Sequence, residues 1–309
     1  MRRAIQICAA TFILCLTAMG NDLTPGNLIL VQDNQIVEYT PSGSVIQSIA
    51  VPVSSSPGEH VRDIIVTPTG NIAVYNGTFD PVLSIYDPLT GTWENTTFSG
   101  WSTVNNGSYG GISAFSDFVY VTDMETGGSG DAPRGIVRFN TANNSAQRFA
   151  ENSDFIDLTI GFDNLLYALD RNQYSVSVYD PVSFNLLRTL SLANNCRGIA
   201  VNEHGTIFGA SWDENVYRFA SSGSMLDSLN VGFTLCDIDL SIDGQLAVVT
   251  RLDGAFLTDG NLTAINWITS SDVDFVAFTT PVPEPATLLL IALGSAFLRK
   301  KALIKYSRG

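Results

Sequence analysis

The chain has 309 residues, 45% of them hydrophobic and only 15% charged, with a formal charge of −14 at neutral pH. Residues 21–298 hold all 30 acidic side chains against nine arginines, a formal −21, while Lys300, Lys301 and Lys305 lie beyond them. Such a surface repels nucleic acid and anionic lipid and offers no basic patch for phosphates, so nucleic-acid binding is excluded. The plain reading is an acidic surface suited to a saline exterior.

Arg2-Arg3 and the largely apolar stretch from Ala4 to Met19 read as a signal peptide over residues 1–20. Ala18 and Gly20 supply small residues at the −3 and −1 positions of a cut before Asn21. The arginine pair lacks the flanks of a twin-arginine signal, and neither Cys8 nor Cys15 sits in a lipoprotein box. A first transmembrane helix is the competing reading, against which the short apolar run and the cleavage site both count. Residues 21–27 form a short leader.

From residue 28 a unit of roughly forty residues recurs. Asp63 to Tyr75, Asp157 to Leu169, Gly198 to Ala210 and Asp237 to Val249 each read as strand, tight turn, strand, with Gly70, Asn164, Gly205 or Gly244 where positive φ is wanted. A third strand follows and ends in an aromatic residue and a turn, as in Ser84-Ile85-Tyr86-Asp87-Pro88 and Val178-Tyr179-Asp180-Pro181. A fourth comes next, as in Asn185 to Leu190 and Ser224 to Leu229. Four short strands per unit predict an all-β fold, a β-propeller of six blades over residues 28–280, with seven as the alternative. The units fall at 60–98, 110–150, 155–192, 196–231 and 235–269. Residues 28–51 supply three strands, and Val273 to Thr279 supplies a fourth that pairs with them and closes the ring.

The first strand of each blade lines the central channel. Asp63, Asp157 and Asp237 share one repeat position, Asp274 is matched to them in the closing strand, and Asp239 projects the same way two residues along. Such a ring suits a hard cation such as Ca²⁺. In the alternative reading each carboxylate accepts turn or neighbouring-strand amides. Gly111 and Gly198 interrupt the ring. Cys196 and Cys236 precede the first strands of adjacent blades and permit one disulfide where their Cα atoms come within about 4.4–6.8 Å. Otherwise they are small buried thiols. The loop from Thr126 to Pro133, with Trp93, Trp101, Tyr109 and Trp212, offers a carbohydrate-contacting surface, although aromatic residues in a blade are more often core.

The repeat region resembles the NHL-type and lactonase-type propellers. The lactonase resemblance implies a channel metal and a catalytic histidine. His60 precedes a first strand and His204 lies in the Asn-Glu-His-Gly turn, so neither falls where a channel base belongs. Streptogramin-lyase-like propellers need a His and Glu pair that cannot be placed here. No Gly-x-Ser-x-Gly, phosphate loop, Cys-x-x-Cys or zinc-helix motif is present. No catalytic residue is assigned. A binding or scaffold protein is the first reading, and a metal-dependent hydrolase or lyase working in the channel is the alternative.

Residues 281–309 form a tail. Pro281, Pro283 and Pro285 keep the segment extended, as a protease or transpeptidase site requires. From Ala286 to Leu298 only Thr287, Gly294 and Ser295 interrupt apolar side chains. As a helix this run reaches roughly 20 Å, short of the ~30 Å hydrocarbon core, so it is better read as a transient handle than as a permanent span. Arg299, Lys300 and Lys301 stay cytoplasmic by the positive-inside rule.

Val282-Pro283-Glu284-Pro285, the apolar run and the basic stop together resemble the PEP-CTERM sorting signal over residues 281–301. Eight residues follow Lys301, where many such tails stop sooner. The resemblance implies processing by an exosortase, a membrane-embedded transpeptidase-like enzyme, in a Gram-negative bacterium that makes exopolysaccharide. It further implies transient contact with the inner membrane, a final place at the cell surface or in the extracellular matrix, and polysaccharide or a matrix protein as partner. A tail that is removed leaves no membrane-spanning protein. The competing reading, a C-terminal helix packed on the domain, fits the prolines and lysines poorly.

Overall fold

The computed structural model describes residues 22–52, 61–76, 81–96, 98, 100, 110–123, 134–170 and 174–279. The signal peptide, His60, Trp101, Tyr109, the loop from Thr126 to Pro133 and the tail from Pro281 onward lie outside the described residues.

Six antiparallel four-stranded sheets form the blades of a β-propeller. Blade one is Val276–Phe278, Leu28–Gln32, Gln35–Tyr39 and Val45–Ala50. Blade two is Val61–Val66, Ile72–Asn76, Val82–Asp87 and Thr92–Thr96. Blade three is Ile112–Phe115, Phe118–Asp123, Gly135–Asn140 and Ser145–Phe149. Blade four is Phe155–Ile160, Leu166–Asp170, Ser175–Tyr179 and Leu186–Ser191. Blade five is Cys196–Val201, Ile207–Ser211, Asn215–Phe219 and Met225–Asn230. Blade six is Leu235–Leu240, Gln245–Thr250, Gly254–Asp259 and Asn266–Thr269. The innermost strands of successive blades touch, and that of blade one meets that of blade two, so the ring closes.

The apolar pattern follows from blade stacking. A middle strand has a neighbouring blade on each face and is apolar at most positions. In Leu28–Gln32, Leu28 and Leu30 pack into the layer shared with blade six, and Ile29 and Val31 into the layer shared with blade two. The core is six such layers, one between each pair of neighbouring blades. The fourth strands stand at the rim and are mostly exposed, as in Met225–Asn230. The first hairpins turn where the sequence asks for positive φ: Gly70 at 85°, Asn164 at 63°, Gly205 at 72° and Gly244 at 83°.

Closure joins the two ends of the described chain. Val276, Ala277 and Phe278 pair with Leu30, Ile29 and Leu28. Just outside that ladder the Thr279 amide donates to the Asn27 carbonyl (2.9 Å), the Gly26 amide to the Thr279 carbonyl (3.1 Å), and the Thr279 hydroxyl to the Thr24 carbonyl (2.6 Å). Glu38, buried in the third strand of blade one, holds the same segment. It accepts from the Thr24 amide at 2.9 Å, the Asn27 side-chain amide at 2.6 Å and the Gln47 side-chain amide at 2.7 Å.

Candidate functional site

Four of the five aspartates singled out from the sequence meet in the channel. Asp63, Asp157, Asp237 and Asp239 line one small space of about 20 Å³ together with Ile112, Ile199 and Val276. That volume is room for about one water.

Each carboxylate is already used by the backbone. One oxygen accepts the amide of its own next residue: Ile64 at 2.7 Å, Leu158 at 2.8 Å, Ile238 at 2.8 Å and Leu240 at 2.8 Å. The other accepts an amide of the following blade. Asp63 takes Ile112 (2.7 Å), Asp157 takes Ile199 (2.6 Å), Asp237 takes Val276 (2.9 Å) and Asp239 takes Phe278 (2.7 Å). The advance from Asp237 to Asp239 matches the advance from Val276 to Phe278. Innermost strands therefore run in the same direction and end at the same end of the propeller.

These bonds join blade two to three, four to five, and six to one. The intervening positions are the glycines. A Cβ on Gly111 would stand 2.6 Å from the Asp157 Cα, and one on Gly198 3.0 Å from the Asp237 Cα. Glycine lets the strand that carries the next aspartate come close. Asp274 does not join the ring. The Ile112, Ile199 and Val276 amides are equivalent acceptor-seeking groups, so Phe275 holds the position before Val276 that Gly111 and Gly198 hold before theirs. Asp274 is exposed one residue earlier, and its amide donates to the Val31 carbonyl at 3.0 Å.

Electrostatics follow from burial. Desolvation raises the Asp63 carboxyl well above the ordinary range, helped by the charges of Asp237 and Asp157. Asp157 is raised in the same way, with Asp237 as its main charged neighbour. Burial lifts Asp237 to about 7 and Asp239 to about 6, against the pull of the amides they accept. Among the described residues no group of three His, Cys, Asp or Glu side chains is placed to hold a metal ion. Asp63, Asp157, Asp237 and Asp239, expected as a Ca²⁺ ring or as acceptors of backbone amides, each accept two such amides.

Cys196 and Cys236 are both free thiols. Their one-residue offset in the repeat sends them to opposite faces. Cys196 packs in the layer between blades four and five, and Cys236 against the layer between blades six and one. Burial raises both thiols, Cys236 to about 12. His204 is exposed in its turn, 3.3 Å from Glu203, far from a channel role. Trp93 is partly buried at the rim and tilted against Tyr86, with ring centroids 5.0 Å apart, whereas Trp212 is exposed.

Sequence reading missed a second set of blade-to-blade ties. Arg138 of blade three donates to the Val182 carbonyl of blade four at 2.7 Å. At the same repeat position Arg218 of blade five donates to the Gly260 carbonyl of blade six at 3.1 Å. The shared position before Phe139 and Phe219 was the available signal. Within blade three, Asp123 and Arg148 form a buried pair 2.6 Å apart. A groove of about 420 Å³ opens between blades five and six near Arg218, Asp243 and Asp259, and the Asp259 carboxylate accepts the Thr263 amide of its own turn.

No curated protein matches the chain. Solved structures match its fold broadly. A chain of a nidogen–laminin complex superposes with a TM-score of 0.62 at 10% identity, covering 82% of this chain and 98% of that one. A protein of unknown function from Bacteroides caccae gives 0.55 at 10% identity, with coverage of 82% and 98%. The Pan2 WD40 domain of Neurospora crassa gives 0.55 at 9% identity, with coverage of 85% and 79%. Identities this low carry the fold alone. One family profile matches, the PEP-CTERM protein-sorting motif, over residues 281–301. The chain is therefore a six-bladed β-propeller that carries a PEP-CTERM sorting motif, the mark of a bacterial protein exported and sorted to the cell surface by an exosortase.

Proposed function

We propose that the propeller is a non-catalytic binding or scaffold protein of the extracellular polysaccharide matrix in a Gram-negative bacterium. The observation that carries this reading is the use of the channel. Each of its four aspartates accepts two backbone amides and ties one blade to the next. A lactonase-like hydrolase or lyase needs carboxylates turned toward a metal and a base beside them. Here each carboxylate oxygen already accepts one backbone amide in closing the ring, and the lining leaves room for about one water. A closed ring of blades is, by contrast, a good platform for binding through its connecting loops.

The test is retention of the exported protein in the matrix, with and without residues 283–301. Loss of retention on deletion supports sorting to the matrix, and unchanged retention refutes it. Turnover of a lactone or a polysaccharide by purified protein, abolished by Asp237→Asn, would restore the enzymatic alternative.

A further inference from the structure

Arg138 and Arg218 stand at one repeat position, yet the two blade junctions that they span differ. Between blades three and four, the Arg138 guanidinium lies 4.6 Å from the ring centroids of both Phe118 and Phe149. Phe149 stacks in turn on Phe184 of blade four, with centroids 4.1 Å apart. The Tyr120 hydroxyl donates to the Pro181 carbonyl of blade four at 2.8 Å. Aromatic rings fill that junction.

Strand register gives the counterparts between blades five and six. Arg138 faces Tyr120 and Arg218 faces Phe208, so Thr206 takes the place of Phe118. Ile136 faces Phe149 and Val216 faces Leu229, so Leu229 takes the place of Phe149. Two rings and one hydroxyl are missing, and a groove of about 420 Å³ stands there instead. That volume is in the range of about 300–1,000 Å³ usual for small-molecule sites.

The groove combines an apolar wall with polar groups that the fold leaves free. Phe208 and the exposed Leu226 supply the apolar part. Asn202 accepts the His204 and Thr206 amides through Oδ1, both at 2.9 Å. Asn261 accepts Arg218 through Oδ1 at 3.2 Å. Both amide groups are thereby oriented, and among the described residues neither NH₂ has a partner in the fold. The Thr206 hydroxyl and the Asp243 carboxylate, which also line the groove, are likewise uncommitted among the described residues.

These groups select a ligand by elimination. An anion would face Asp243 and Asp259, while the one guanidinium of the groove is engaged by Gly260, Asn261 and Asp227. A hard cation needs six or more oxygens. Both Asp259 oxygens hold Thr263, at 2.8 Å each, which leaves Asp243 as a single carboxylate. A neutral molecule rich in hydroxyl groups meets every requirement. Hydroxyls donate to the carboxylate, accept from the two amides and do either with the threonine.

We propose that the groove between blades five and six binds a neutral sugar unit of a polysaccharide. Its hydroxyls bond to Asp243, Asn202, Asn261 and Thr206, and its C–H surface lies against Leu226 and Phe208. This rests on the reading of the protein as a binding module and names the site and the ligand class.

The test is affinity electrophoresis of the exported protein in gels containing dextran or galactomannan, with polygalacturonate as the acidic comparison. Wild type should be retarded by at least one neutral polymer, to the same degree in low and high salt. Asp243→Ala should weaken retardation about tenfold, the loss of charge-assisted hydrogen bonds. Thr206→Phe, which returns the ring found between blades three and four, should abolish it. Asp243 is exposed in a turn, so its variant tests the proposal even if the phenylalanine variant folds poorly. Retardation by a neutral polymer that is equal in wild type and Asp243→Ala overturns the groove and leaves the binding reading intact. Retardation by polygalacturonate alone overturns the neutral ligand class. Retardation by none of the polymers overturns the groove proposal, and matrix retention then decides separately on the binding reading.

Discussion

The carboxylate of Asp237 accepts the amide of Val276 at 2.9 Å, across 39 residues of chain and from the last complete blade to the strand that completes the first. Asp239 repeats the contact with Phe278 at 2.7 Å. The closing strand is only three residues long, Val276–Phe278, and it is held by Leu28–Gln32 on one side and by these two aspartates of the neighbouring blade six on the other. Ring closure therefore depends on side chains as much as on the ladder.

Asp237→Ala leaves two buried amides, those of Ile238 and Val276, without their acceptor. Each such loss costs about 1–3 kcal/mol, so a destabilisation of about 3 kcal/mol is expected by urea denaturation. Limited proteolysis of the variant should open the chain first near residues 270–279.

The folded chain holds the protons of Asp237 and Asp239 more tightly than the unfolded chain, because burial raises both from 3.8, to about 7 and about 6. Their contribution to stability is full below about pH 4 and is lost as pH rises through about 6 to 7. Asp63 and Asp157 shift in the same direction. The midpoint of thermal unfolding should be higher at pH 5 than at pH 8. Asp239→Asn should flatten that profile, and an unchanged profile would separate the pH effect from the channel.

Gly111→Ala should destabilise more than Gly198→Ala. The first puts a methyl group 2.6 Å from the Asp157 Cα, where backbone must move, and the second meets the Asp237 Cα at 3.0 Å. Overpacking of this kind costs about 1–3 kcal/mol. Calorimetry of the two variants side by side checks the order.

Burial separates the ion pairs. Asp123→Ala removes the only carboxylate paired with a nearly dry Arg148 among the described residues, leaving it the Arg134 and Gly100 carbonyls, and should cost about 3 kcal/mol. Asp227→Ala removes an exposed partner 3.5 Å from Arg218 and should cost under about 1 kcal/mol. Denaturation midpoints of the two variants give the comparison.

Much of this architecture was legible in the chain. The spacing of Gly70, Asn164, Gly205 and Gly244 marks the first hairpin of four blades, and unbroken apolar runs such as Leu28 to Val31 mark strands covered on both faces. The ring of Asp63, Asp157 and Asp237 was also legible as a repeat position. What it does was legible only as one of two readings, because the partner amides lie 39–49 residues away, in another blade. Asp274 misled because it is an acidic residue one place before the matching position, and a one-residue slip turns a strand side chain to the other face. The same rule separates Cys196 from Cys236.

The central claim is that the propeller is complete at Thr279 and that the tail beyond it is a processing handle. Intact mass of the protein released at the cell surface tests this most directly, with Glu284→Ala/Pro285→Ala alongside. The account expects a wild-type C-terminus between Thr280 and Leu288, cooperative unfolding of the released protein, and retention of Arg299 to Gly309 in the variant. Wild-type protein that still carries Arg299 to Gly309 at the cell surface would contradict it.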